Sequence, residues 1–570
     1  MYRSDRGWLS SIGLQAITRR RDLRGSIVLH TVLWLGIAPW RARLTSNRAI
    51  VVSAFWVFLT TVLLSESIFP PHASDQGEYI RYAKNFPEML LTGQFATNGA
   101  ARWGPSALCW LISQLFFISL TDMNIMRIFQ TLVIVWGTVG AFFWTRIADI
   151  LGVRDKGKWL GLILLYVNFG AIKFDVYMPV MTDASAFLIA LAQLYFYLSK
   201  RPLALIGVTL FGAFTFPGLE VTGLLLYVLP ADPLQPLPQS LVAQGARGWI
   251  VSCSNLLIAG ALALATAVLI YIALPPLAII TRFQEPAYLR IFSNHIFSDL
   301  IPLSIAMAAL YVFLATGQLL RCDWWTPLRR LKYRRAVVGI LVLSGIWVVR
   351  LAIARGHSDA YLQLGFEPNP YLEEPMHIFR RAGAFPLSFA LASLLWFGLG
   401  MLFIYSYWKV ATKIMQRYGL PIVVIVGMAT FLHFDTSPRH MTQIYPIAIA
   451  FTVAAADRTL NRWSALIPVA LLAVLQSRVW ASINPAGGLS GAAWTDEQLA
   501  HFISVMAPYW PQSTVAAAMV PIGLIVSGIA LVHVWRLSAA RKYPDRAADT
   551  GSQQDLRPAT LPAQTERSHS

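Results

Sequence analysis

The chain has 570 residues, 56% of them hydrophobic and only 13% charged, with a mean hydropathy of +0.55 and a formal net charge of +18. That balance excludes a soluble enzyme of this length, which needs far more polar surface. The surplus Lys and Arg lie in short loops beside apolar runs, which is the pattern that orients membrane segments and not that of a nucleic-acid binder. Spanning a bilayer takes about 20 apolar residues, and many windows reach or approach this length. The expected class is therefore an all-α polytopic integral membrane protein of about 12–14 transmembrane helices, because lipid admits only segments that satisfy their own backbone hydrogen bonds.

In chain order, residues 1–48 hold nine Arg against two Asp and are expected in the cytoplasm. Within them 26–40 is too short to span and reads as an interfacial helix. The first span, 49–69, leads outward to HASDQGEYIRYAKNF (72–86). Apolar segments follow at 105–120, 125–147 and 158–174, with the basic loop 146–158 between the last two. If all three crossed, that loop would lie outside, against the positive-inside tendency. The conflict vanishes if 105–120, which begins with Pro105 and contains Ser106, Ser113 and Gln114, lies along the outer face.

With that choice Lys200-Arg201, 321–335, 409–417, 457–462 and the tail from Arg536 fall inside. The segments 281–298, 355–386, 433–440 and 481–512 fall outside. Residues 203–230 are too long for one helix and break near Phe216-Pro217-Gly218, giving a short up-and-down pair. The organisation expected is a basic N-terminal segment (1–48), a transmembrane module with its external loop 70–124 (49–230), further transmembrane helices (231–536) and a disordered tail (537–570).

Ionisable groups at membrane depth are costly and so are functional candidates. If 74–86 is a helix on the outer surface, Asp75, Glu78 and Tyr79 share a face through their spacing. A carboxylate there suits a general base or a metal ligand; the plainer alternative is an Asp N-cap beside a solvated acid. Thr182 or Asp183 begins an inward span after Lys173 and Asp175, and Asp183 too could simply cap that helix. Arg439 and His440 stand at the outer mouth of a late span before Tyr445-Pro446. Arg439 can grip a phosphate through two hydrogen bonds, or it can snorkel to the surface. The loop 355–386 carries Arg380-Arg381 and reads either as a substrate-binding surface or as an ordinary loop. No zinc spacing, Walker loop or dinucleotide fingerprint appears in a credible context, and the cysteines Cys109, Cys253 and Cys322 show no paired spacing.

A first span delivering an acidic loop, an outer-surface helix, an inward span beginning Pro-x-x-Thr-Asp, the broken pair around FTFPGLEVTG and a late outer Arg before Tyr-Pro together resemble the GT-C superfamily of membrane glycosyltransferases. That superfamily includes protein O-mannosyltransferases and aminoarabinose transferases. The resemblance covers roughly 49–230 and returns at 433–446. It implies inverting transfer at the outer face, from a polyprenyl-phosphate-linked sugar to a glycan, lipid or protein acceptor, in the inner membrane of a bacterium with both termini cytoplasmic. Asp75, with Glu78 and Asp183, would be the catalytic acids. Arg439 would hold the donor phosphate, with His440, Tyr79, Arg102, Lys173, Arg380 and Arg381 as further substrate-binding candidates. No cofactor is indicated with certainty; a divalent metal (Mg or Mn) at Asp75 stays open, because Gln76 and Gly77 separate Asp75 from Glu78 where the family has adjacent acids. The alternatives are a transporter or flippase of lipid-linked or polar solutes, whose ionisable groups lie near the midplane, and a non-catalytic scaffold of the same fold.

Overall fold

Long apolar runs punctuated by Gly, Pro and basic loops fold into a bundle of helices. The computed structural model describes residues 47–64, 76–96, 99–236, 245–273, 301–355, 388–434, 438–460, 462–477 and 479. The expectations for 1–46, for Asp75 and for the segments 281–298, 356–386 and 481–512 lie outside the described residues. The helices are α1 (Asn47–Leu64), α2 (Gln76–Lys84), α3 (Phe86–Thr92), α4 (Gly104–Leu115), α5 (Asp122–Ile150) and α6 (Asp155–Tyr166). A π-helical turn (Gly170–Phe174) leads into the short α7 (Asp175–Tyr177), followed by α8 (Asp183–Leu198), α9 (Pro202–Ala213) and α10 (Leu219–Val228). Next come α11 (Gly245–Ala273), α12 (Ile301–Leu319), α13 (Trp325–Arg329) and α14 (Tyr333–Ala354). The described chain continues with α15 (Ser388–Phe397), α16 (Leu399–Met415), α17 (Leu420–Leu432), α18 (Tyr445–Asp457) and α19 (Leu466–Ser477). The strand content among the described residues is one antiparallel pair, β1 (Gln235–Pro236) with β2 (Cys322–Asp323).

Among the described residues four helical segments are long and apolar enough to cross a membrane: Asn47–Leu64, Asp122–Ile150, Ile250–Leu269 and Tyr333–Ala354. A fifth is the pair Asp155–Tyr166 and Gly170–Tyr177 if taken as one span bent by 58°. Seven shorter apolar helices, including α8, α9, α10 and α18, complete the bundle among the described residues. Every residue of α18 is buried, and its run of small side chains (Ala448, Ala450, Ala454, Ala455, Ala456) lets α6, α8 and α16 pack closely around it.

Polar contacts fix which helix ends lie together. Asn47 donates from Nδ2 to Asp149 Oδ2 at 2.7 Å and accepts from Lys158 Nζ at 2.9 Å. The start of α1, the end of α5 and the start of α6 therefore share one end of the bundle, the basal end. Leu64 and Asp122 then both lie at the opposite, distal end. The intervening α4 is only about 18 Å long at 1.5 Å per residue, and it packs against α2, so it does not run the length of the bundle. Arg154 and Asp457 pair at 3.0 Å, Gln416 donates to Leu319 O at 3.3 Å, Leu234 N–H donates to Gln416 O at 2.8 Å, and Tyr197 Oη donates to Tyr418 O. These contacts gather the basic loops around 146–158, 200–201, 321–335, 409–417 and 457–462 at the basal end.

The hairpin expected in 203–230 is present as α9 and α10. Its turn needs Gly218, whose φ of +93° lies in the left-handed region and whose Cβ position is filled by the amide of Gln443. The break after Tyr166 has another cause. Asn168 donates from Nδ2 to Leu165 O at 2.9 Å, and its Oδ1 accepts from Ala171 N–H at 3.0 Å. The side chain thus takes over the backbone partners that a continuous helix would have used.

Candidate functional site

The segment between α1 and α5 folds back over the distal end. Phe95 N–H donates to Ile353 O at 3.2 Å at the end of α14, and Gly104 N–H donates to Phe214 O at 2.6 Å in the α9–α10 turn. The ring of Trp103 lies 5.2 Å from that of Phe214, and the Arg102 guanidinium sits 5.5 Å from the ring centre of Phe216. Arg102 also donates from Nη1 to Tyr79 Oη at 3.0 Å, while Ser106 Oγ donates to Tyr79 O at 3.0 Å. Tyr79 and Arg102 are therefore brought together against the α9–α10 turn.

Glu78 does not share their face. The buried side of α2 is Gln76, Tyr79, Ile80, Tyr82 and Ala83, whereas Glu78 is exposed and accepts from Tyr82 Oη at 3.0 Å. Burial, reinforced by the negative charge of Glu78, pushes the Tyr82 hydroxyl above its ordinary range. The expectation that Glu78 and Tyr79 act from one face is corrected accordingly. Tyr79, Tyr82 and Ala83 are buried in the fold.

Asp183 is the first residue of α8 and is 2% exposed. Thr182 occupies the cap position and makes no side-chain cap hydrogen bond, so Asp183 is not an N-cap. Lys173 and Asp175 are buried in the second half of the bent helix, and the Asp175 and Asp183 carboxylates interact electrostatically. Trp396 of α15 packs on this half, its ring 4.6 Å from that of Phe174 and its indole against Gly170.

Arg439 lies in a 3₁₀ turn (Pro438–Met441) packed on α15 and α17 and is 4% exposed, which excludes the snorkelling alternative. His440 is half-buried beside it. Four residues on, Gln443 meets Gly218, which ties the Arg439 segment to the same turn that receives Arg102. Asp75, Arg380 and Arg381 lie outside the described residues. So does the metal expectation at Asp75; among the described residues no group of three or more His, Cys, Asp or Glu converges as a cation site.

Two features escaped the sequence reading. Glu220 and Arg350, 130 residues apart and about 5% exposed each, form a 2.8 Å ion pair. Glu220 Oε2 also accepts from Gly218 N–H at 3.1 Å, and Arg350 donates to Ala213 O. The signal was there in a single arginine inside the apolar run IWVVRLAIA and a single acid inside FTFPGLEVTG, each costly unless paired. The second is His433, buried with Ser393 Oγ 3.2 Å from Nδ1 and Tyr405 Oη 2.7 Å from Nε2. No protein-family model matches the chain, and no characterised protein or solved structure shows significant similarity to it.

Proposed function

We propose that this protein is an integral-membrane glycosyltransferase of the GT-C type, which moves a sugar from a polyprenyl-phosphate donor to an envelope acceptor at the distal end of the bundle. In this reading the basal end and the N-terminus are cytoplasmic, and α1, α5, the bent α6–α7 pair, α8–α12, α14, the α15–α16 pair and α17–α19 alternate across the membrane. The observation that carries it is the gathering of the loop pair Tyr79–Arg102 and the Arg439 turn on the α9–α10 turn, at the same end as the buried acids Asp175 and Asp183. A lipid-linked donor keeps its chain in the bilayer and its phosphate at the surface, where a buried guanidinium meets it.

The chemistry assigned to these residues is a single displacement. Asp75 takes the proton of the acceptor hydroxyl as that oxygen bonds to the anomeric carbon. The bond from that carbon to the phosphate oxygen breaks, and the pair of electrons leaves with the phosphate. Arg439 holds the phosphate and offsets the charge that develops on it. The test is transfer from a polyprenyl-phosphate sugar by the purified protein in nanodiscs. Asp75→Asn is expected to lower turnover by a factor of about 100 or more while melting like wild type, since removal of a general base costs about 10²–10⁴. Full activity in Asp75→Asn would remove the assigned base.

The bent helix at Asn168, with Lys173 and Asp175 in its second half, favours a second reading as a transporter, because discontinuous helices carry substrate sites in that class. Flux of lipid-linked sugar across proteoliposomes without any transfer product selects that reading over the first.

A further inference from the structure

We infer that the sugar is recognised as a neutral, hydroxyl-rich unit by Gln76, Thr442 and Gln443, with the indole N–H of Trp103; this rests on the glycosyltransferase reading. Gln76 is 0% exposed, yet both Nε2 and Oε1 of its amide have no hydrogen-bond partner among the described residues. The same holds for Thr442 Oγ1 and Gln443 Oε1, whose residues are more than nine-tenths buried, and for Trp103 Nε1. Buried polar atoms are almost always paired in native proteins, and an apolar side chain of the same shape would avoid the cost of leaving them unpaired.

These groups share one neighbourhood. Gln76 lies one turn from Tyr79 on the buried face of α2, and Tyr79 holds Arg102 over Phe216. Trp103 lies against Phe214, and the amide of Gln443 lies against Gly218, with Thr442 its neighbour. Trp103 and Gln443 therefore meet residues 214–218, the turn on which the candidate site is built, and Gln76 lies one helical turn from the Tyr79–Arg102 pair that reaches it.

Their chemistry selects the ligand. A sugar hydroxyl both donates and accepts, and so do the Gln76 amide and the Thr442 hydroxyl; Gln443 Oε1 adds an acceptor and Trp103 a donor. A hydrocarbon chain would leave all four unsatisfied. An amino or carboxyl sugar would call for an opposite charge among them, and none of the four carries one.

The test uses the full chain in nanodiscs and calorimetry with three probes: polyprenyl phosphate, the same lipid carrying a neutral hexose, and the same lipid carrying an amino sugar. Gln76→Leu, Thr442→Val and Gln443→Leu are each expected to weaken the hexosyl lipid about fivefold to tenfold, the effect of a lost hydrogen bond, with binding of bare polyprenyl phosphate unchanged. Because Gln76→Leu and Thr442→Val remove only unpaired polar atoms, the melting temperature of these two variants is expected to stay level or rise. Equal weakening of hexosyl and bare lipid, no weakening, tighter binding of the amino-sugar lipid, or a fall in either of those melting temperatures each overturns the inference. If wild type binds none of the three lipids, the glycosyltransferase reading falls with it. If wild type transfers a sugar while the variants bind the hexosyl lipid normally, only this inference falls.

Discussion

Breaking the Glu220–Arg350 pair tests how the distal end is held together. The two charges lie 2.8 Å apart with about 5% exposure each, so water screens them little. At an effective dielectric of about 20, two charges about 4 Å apart attract by about 4 kcal/mol, and removing one partner of a buried pair typically costs about 3–5 kcal/mol. Glu220→Gln leaves the Arg350 charge uncompensated and weakens the bond from Gly218 N–H; Arg350→Met strands the Glu220 carboxylate and frees Ala213 O. Each single variant is expected to lose about 3–5 kcal/mol. The double variant Glu220→Gln/Arg350→Met removes both charges and is expected to lose only about 1–2 kcal/mol, far less than the sum. The assay is an SDS-unfolding titration in mixed micelles followed by tryptophan fluorescence. Hydrogen exchange at residues 79–83 reports in parallel whether the loop stays docked on α14 through Phe95 and Ile353. Single variants within about 1 kcal/mol of wild type, or additive losses in the double variant, would refute the claim that this pair fastens α14 to the α9–α10 turn.

Burial pushes the His433 imidazole down to about 4, so the folded protein keeps it neutral between its Ser393 and Tyr405 partners. The unfolded chain takes up that proton near the ordinary value of about 6.5, so the contribution is complete above that pH and is lost as pH falls toward 4, for a total of about 3 kcal/mol. Melting curves of wild type and His433→Asn across this range are expected to converge at the acid end; parallel curves would count against the assignment. Arg439→Lys keeps the charge but not the two-pronged geometry, and a rise in KM for the lipid-linked donor of about tenfold is expected, with kcat less affected. In a background free of native cysteines, Met123→Cys is expected to react with an impermeant maleimide in intact cells and Lys156→Cys only after permeabilisation. Labelling of Lys156→Cys from outside would overturn the orientation.

How much of this was legible in the sequence depended on whether the cause was local. The α9–α10 break announces itself through Pro217-Gly218, because the φ that Gly218 adopts is one most residues avoid. The break after Tyr166 carries no such mark: one Asn in an apolar run does the work, and Asn is as common in loops as in bends. Spacing along 74–86 indicates a helix, present over Gln76–Lys84, yet it does not say which side is covered. Ser106 and Arg102 decide that by binding Tyr79, and the decision leaves Glu78 in solvent. Glu220 and Arg350 each look anomalous alone; only the tertiary fold makes them partners across 130 residues.

The two ends of the bundle also differ in how their charges are held. At the basal end Arg and Lys lie in the loops, and the two buried charges there among the described residues are in ion pairs, Lys158 with Asp149 at 2.6 Å and Asp457 with Arg154 at 3.0 Å. Such contacts join neighbouring loops. A cation that merely orients a helix gains nothing from burial, since it acts on the membrane from water. At the distal end Lys173, Asp175, Asp183, Glu220, Arg350 and Arg439 are all buried, at a desolvation cost that topology does not require. Glu220 and Arg350 spend theirs on each other. The other four sit around the turn, the bent helix and the first residue of α8. Charge counting along the sequence assigns sides to the loops, but only the fold shows which charges are buried, and it puts Lys173, Asp175, Asp183 and Arg439 at the end reached by the loop of Tyr79 and Arg102.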